Sequence, residues 1–101
     1  MSFNQIIIRG NVGRINDIKA TTNSCVLNFT VAVNEKVKDA EDRVEWFTVE
    51  SWGKQAQFLA EHMKKGQSVM VVGKIKSSEY ENKDGATVKK TYVGANQVEL
   101  L

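Results

Sequence analysis

Trp46 and Trp52 stand six residues apart in a stretch that alternates like a β-strand. Successive side chains of a strand turn to opposite faces. Val44, Trp46, Thr48, Glu50 and Trp52 therefore share one face, and Glu45, Phe47, Val49 and Ser51 the other. If Phe47 and Val49 face a core, both indoles face outward. Large apolar groups left in water invite association, so such a pair calls for a cover. Unpaired nucleic-acid bases would serve, because every base has a π-face and stacking contributes about 1–3 kcal/mol per base whatever the sequence. The protein's own core and a second subunit are the other possible covers, and alternation alone does not choose among them.

Cations surround this strand. Arg43 opens it, Lys54, Lys64 and Lys65 bracket the segment that follows, Lys74 and Lys76 alternate on one face of the next strand, and Lys89 and Lys90 lie on its return. Tyr80 sits beside a turn at 81–86, where its ring can stack on a base or cover its own hairpin. Cations interleaved with aromatics suit a single-strand groove, the cations meeting phosphates and the rings meeting bases. Each lysine taken singly also suits a plain solvated surface. The net charge is only +2, but it is unevenly spread. Residues 35–52 hold three basic and six acidic side chains, residues 1–34 three and one, and residues 53–101 eight and five. Positive charge is thus set apart from one acidic stretch, as a directional surface requires.

Other chemistries lack their parts. A nucleophile with its base, paired carboxylates in a pocket or a metal cluster would mark an enzyme. Cys25 and His62, the single cysteine and histidine, stand 37 positions apart with no third group to orient them. Cys25 reads as a reduced thiol packed in a strand, and His62 as a surface helix position. One cysteine makes no internal disulfide and no cysteine-based metal site. Gly10-Asn11-Val12-Gly13 matches neither phosphate-cradling glycine motif. The expectation is a protein that is not an enzyme and carries no cofactor or metal. The start lacks the basic and apolar regions of a signal peptide, and no run approaches the ~20 apolar residues of a membrane span. The expected location is therefore cytoplasmic, with no membrane partner.

The elements that must position these residues are mostly strands. Gln5–Arg9 is a short β-branched run closed by Gly10 and Gly13, and Cys25–Asn34 alternates with Leu27, Phe29, Val31 and Val33 on one face. Glu35–Asp42 is a charged loop, and Arg43–Trp52 is the aromatic strand, ended by Gly53. Ala56, Leu59, Ala60 and Met63 fall on one stripe of a short amphipathic helix, closed by Lys64-Lys65-Gly66 with the glycine as C-cap. Ser68–Lys76 is a fourth strand, Lys83-Asp84-Gly85 a hairpin turn, and Thr87–Leu100 the returning strand. Five strands with one helix between the third and fourth is the layout of an OB-fold, an all-β five-stranded Greek-key barrel with one short helix, here with a long protruding hairpin. No repeat or linker interrupts it, so residues 1–101 read as a single domain.

The ordered residues also resemble bacterial single-stranded-DNA-binding proteins. Asn4-Gln5-Ile6-Ile7-Ile8-Arg9-Gly10-Asn11-Val12-Gly13 is similar to their opening strand and turn, and Val26–Val33 to their second strand. Glu45-Trp46-Phe47, Trp52-Gly53-Lys54, Met63–Val69 and Val72-Gly73-Lys74-Ile75 follow their central signature in order and spacing. The resemblance runs from residue 4 to the last leucine. It implies an OB-fold that binds single-stranded DNA without sequence preference in replication, recombination or repair, usually as a homotetramer, associated with the nucleoid. Carried over by position, Trp46 and Trp52 match stacking aromatics of the family, and Tyr80 falls where a tryptophan is common. Lys54, Lys64, Lys65, Lys74 and Lys76 fall at or near positions that are often basic.

The chain departs from that pattern at several points. Phe47 stands where histidine is usual near a subunit contact, leaving a dimer open beside the tetramer. Glu35, Asp39 and Glu41 occupy a loop that is often aromatic or basic, and Glu50 sits between the tryptophans. These acids predict weaker, more salt-sensitive binding; tight binding that ignores salt in a titration would exclude that expectation. The sequence ends at Val98-Glu99-Leu100-Leu101, where the family usually carries a long tail, so no tail-mediated recruitment of repair enzymes is expected. Two further readings stay open: a dimeric primosomal OB protein that bridges DNA and replication-restart partners, and an OB domain that binds only protein. RNA is another candidate for the same groove, because stacking does not read the 2′-hydroxyl.

Overall fold

The computed structural model describes residues 2–101, so Met1 of the expected 1–101 domain lies outside the described residues. Its elements run β1 (Ile6–Ile15), β2 (Lys19–Ala20), β3 (Cys25–Glu35), β4 (Arg43–Trp52), α1 (Gly53–His62), β5 (Ser68–Glu81) and β6 (Thr87–Leu100). β1 pairs antiparallel with both β5 and β3, which closes β1-β5-β6-β4-β3 into a five-stranded ring. The two-residue β2 extends the edge beside β3 and takes no part in the closure. The seam between β4 and β6 is parallel and short, Val49 opposite Val93 and Glu50 opposite Gly94. A closed five-stranded ring with its helix between β4 and β5 is the expected OB-fold.

β1 does not end at Gly10 as the sequence suggests; it continues to Ile15 and changes partners on the way. Residues 6–11 pair with β5, and Asn11, Val12 and Ile15 pair with β3. That exchange brings two backbones together at Gly10, where a β-carbon would fall 2.2 Å from the Ala32 carbonyl oxygen. Only a residue without a side chain permits the approach, so a glycine that reads locally as a stop is a corner of the barrel.

Alternation supplies the core. Leu27, Phe29 and Val31 of β3, Val49 of β4 and Val69 and Val71 of β5 are buried, with Ile8, Val12, Val93 and Ala95 beside them. Burying a side chain of this size stabilises the fold by about 1.5–3 kcal/mol. Ala56 and Leu59 of α1, with Met63 just past its end, are buried against this core, while Ala60 of the expected stripe is exposed. Gly53 begins the helix with φ 64°, so strand turns into helix with no intervening loop.

The helix ends at Met63, which is in extended conformation, and not through Gly66. Gly66, with φ 88°, belongs to a separate turn that docks on β1. Its N–H donates to the Val12 carbonyl (2.7 Å), and the Val12 N–H donates to the Gln67 carbonyl (2.9 Å). The backbone of this turn is thus taken up by β1 and not by the helix end.

β5 and β6 run beyond the barrel as an antiparallel ribbon from Lys74–Gly94 to Glu81–Thr87. The β5 arm is exposed from Lys74 to its end. At the tip the Asn82 side-chain oxygen accepts from the N–H groups of Asp84 and Ala86, both at 3.0 Å, which fixes the turn expected at 83–85.

Candidate nucleic-acid interface

The outward row of β4 lies beside small or polar partners on β3: Trp46 opposite Ala32, Thr48 opposite Thr30, Glu50 opposite Asn28 and Trp52 opposite Val26. Phe47, Val49 and Ser51 turn inward, as alternation requires. The sheet leaves both indoles partly uncovered: Trp46 is 60% exposed and Trp52 half-buried.

Each indole rests on a glycine. A methyl built on Gly13 would lie 2.4 Å from Cζ3 of Trp46, so this ring spreads across β3 onto β1. A methyl built on Gly94 would lie 3.1 Å from Cη2 of Trp52 and 3.0 Å from the Lys76 side chain, so this ring spreads toward β6. The Lys76 ammonium stands 4.7 Å from the Trp52 ring centre. At an exposed site such a cation–π contact contributes about 0.5–1 kcal/mol. It also holds a positive charge within reach of anything stacked on the indole.

Register sorts the hairpin residues. Lys76 pairs with Tyr92, Ser78 with Lys90 and Tyr80 with Val88, so Lys74, Lys76, Tyr80, Lys90 and Tyr92 share the outward face of the ribbon. Lys89 pairs with Glu79 and falls on the opposite face, apart from the tryptophans. Lys65 comes to the indoles by another route. The Gly66 turn, tied also by the Asn11 side chain to the Gly66 carbonyl (3.0 Å), puts Lys65 in a hollow with Gly13, Arg14, Ile15, Thr30 and Trp46. Lys54 and Lys64 are exposed at the two ends of the helix, and Arg43 is exposed at the far end of β4 opposite Glu35. None of these three lines the hollows beside Trp46.

A second hollow continues along the same sheet, lined by Asn28, Thr48, Glu50, Lys90 and Tyr92, with Asn16 and Ser78 at its borders. Arg14 and Lys90 both border the shallow ground between the two hollows. Arg14, Tyr92 and the outward placement of Lys90 escaped the sequence reading. Tyr92 and Lys90 do alternate on the return strand, a signal that was legible, but which face they join depends on the pairing with β5. His62 is a surface residue of α1 beside the Phe58 ring (4.6 Å between centres), as expected. Among the described residues no group of three or more His, Cys, Asp or Glu could hold a metal, and no helix is long and apolar enough to cross a membrane.

An OB barrel with half-uncovered aromatics and cations on one sheet defines a class of binding proteins. The model of the single-strand binding protein family matches residues 3–101, and the chain belongs to that family. It is 32% identical over 103 residues to single-stranded DNA-binding protein 1 of Synechocystis sp., covering 100% of this chain and 85% of that protein. It is 33% identical to the single-stranded DNA-binding protein of Clostridium tetani, covering 98% of this chain and 70% of that protein. It is 32% identical to that of Neisseria meningitidis serogroup B, covering all of this chain but only 61% of the relative. The chain therefore spans less than two thirds of the Neisseria protein's length.

Proposed function

We infer that this protein binds single-stranded DNA, stacking bases on Trp46 and Trp52 while Lys65, Lys74, Lys76, Arg14 and Lys90 meet the phosphates. The observation that carries this reading is an indole 60% exposed, laid on a glycine and bordered by two cations, in a member of the single-strand binding protein family. A ring packed against the sheet backbone on one side and 60% exposed has surface left open to a base. Stacking tolerates any base, and phosphate contacts carry no sequence information, so the binding as a whole is sequence-tolerant. Tyr80 offers a further platform on the hairpin. Arg43, Lys54 and Lys64 add attraction from the periphery. Lys89 meets only a strand that wraps the ribbon.

The biological role is to coat and protect exposed strands during replication, recombination or repair, as a binding protein and not an enzyme, in the cytoplasm beside the nucleoid. Likeness to the family favours a tetramer over a dimer, and self-association of either kind fits one further feature. Ile6–Gly10 of β1 pairs only with β5, leaving its other edge open, with Phe3 and Ile7 exposed nearby.

The test is a titration with dT oligonucleotides followed by tryptophan fluorescence at low and high salt. Saturable quenching that weakens with salt is the expected result. Unchanged emission at low salt would refute the stacking reading and favour a domain that binds only protein.

A further inference from the structure

The two indoles cannot tell one base from another, but the hollow beside them has the means to do so. Glu50 lies between the tryptophans on the outward row, directly opposite Asn28. Its carboxylate has no cation within 4.0 Å and no hydrogen-bond partner among the described residues, although Lys90 lines the same hollow. Among the described residues the side chains of Asn28, Thr48 and Tyr92 around it likewise make no hydrogen bond. Every fully buried polar side-chain atom, by contrast, is satisfied. The sheet thus holds a partly covered carboxylate between the two indoles, where a negative charge would oppose phosphate, and gives it no partner of its own.

An ionised carboxylate only accepts hydrogen bonds. In a single strand the Watson–Crick edges are free to be read. Guanine presents two adjacent donors there, N1–H and the N2 amino group, which match the two oxygens of one carboxylate. Cytosine and adenine present one amino group each. Thymine presents a single N3–H between two carbonyl oxygens, and those oxygens repel the carboxylate.

We propose that Glu50 and the hollow around it form a base-edge subsite that favours guanine and disfavours thymine within otherwise sequence-tolerant binding. The Tyr92 ring supplies a face for the base, and the carboxylate reads its edge. This inference rests on the single-stranded DNA reading above and adds a base preference to it.

The experiment compares equal-length dT oligonucleotides carrying isolated guanines, isolated inosines or no substitution, read by competition against a labelled dT strand. Isolated guanines avoid four-stranded structures. The guanine-bearing strand is expected to bind about fivefold more tightly than plain dT, the low end for a bidentate contact between side chain and base. Inosine keeps N1–H and lacks the N2 amino group, so it should lose most of that gain. In Glu50→Gln the amide supplies a donor as well as an acceptor, and the guanine-to-thymine ratio should fall to near one. Equal affinity of the wild-type protein for all three strands overturns the subsite while leaving the dT quenching test intact. A Glu50→Gln protein that binds all three strands more tightly by one common factor also overturns it, since Glu50 would then act only as a charge. Failure of every strand to bind would remove both the subsite and the function beneath it. The inosine comparison uses the unaltered protein and stands whether or not the variant folds.

Discussion

Replacing Trp46 with alanine separates the two tasks of that side chain. The residue is 60% exposed, so about two fifths of its surface is covered, mainly by β1 at Gly13 and by its neighbours on the sheet. A tryptophan has on the order of 150–250 Å² to bury. The covered share is then roughly 60–100 Å², and at about 25 cal/mol per Å² it contributes about 1.5–2.5 kcal/mol to folding. Residual burial in the unfolded chain makes this an upper bound. The variant should therefore fold, with Tm lowered by no more than about 10–15 °C. Binding should suffer more in proportion. Loss of one stacked base costs about 1–3 kcal/mol, which weakens binding roughly 5- to 150-fold. Because Trp46 carries no charge, the slope of log K against log salt should not change. Anisotropy of a labelled dT strand across a salt series reads both quantities without relying on tryptophan emission, and thermal unfolding reads the third. An affinity within twofold of wild type at every salt concentration would refute the stacking argument. A changed slope would show that the indole had been positioning phosphate contacts.

Lys76→Ala removes one cation from beside the Trp52 ring and should make the salt slope shallower by about 0.7, the contribution of one phosphate contact on a single strand; an unchanged slope would place that ammonium off the DNA path. Gly10→Ala puts a methyl 2.2 Å from the Ala32 carbonyl oxygen, where both sides are backbone and neither can swing aside. Its cost should reach about 2–3 kcal/mol in denaturant unfolding, near the top of the usual range for single substitutions, and a loss under about 0.5 kcal/mol would contradict the corner assigned to Gly10. Tyr80 stands four residues beyond Lys76 on the ribbon, about 13 Å farther out. Tyr80→Ala should weaken binding of oligonucleotides long enough to follow the hairpin and leave the shortest ones that bind unaffected; equal weakening at all lengths would show that the ring acts near the barrel.

Much of this molecule was legible from local pattern. Alternation in 43–52 set Phe47 and Val49 on the face opposite both tryptophans, although not which face is the inner one, and the turn at 83–85 marked the hairpin. These features depend on neighbours one or two positions apart, and the two-residue period of a strand or the chemistry of a turn is a local property. Gly10 and Gly66 were misread for the complementary reason. A glycine looks like a terminator in its own segment, and only distant backbone shows its other use: at Gly10 the missing side chain makes room for Ala32, and at Gly66, where a side chain would meet open space, φ of 88° shapes a turn whose N–H donates to Val12.

The candidate site divides in the same way. The residue types came from the sequence by itself: aromatics at strand spacing, cations around them, and no parts for catalysis. Which of them meet was decided only in the folded chain, because cross-strand register is set by pairing between segments far apart in sequence. Register joined Lys90 and Tyr92 to the face of Lys76 and turned Lys89 away. Barrel closure laid Trp46 on Gly13 and Trp52 on Gly94, and the turn docked on β1 brought Lys65 beside Trp46. Glu50 shows the division most plainly. Its place between two tryptophans could be read from the sequence, but the absence of a partner for its charge emerged only when every nearby cation had been placed by the fold.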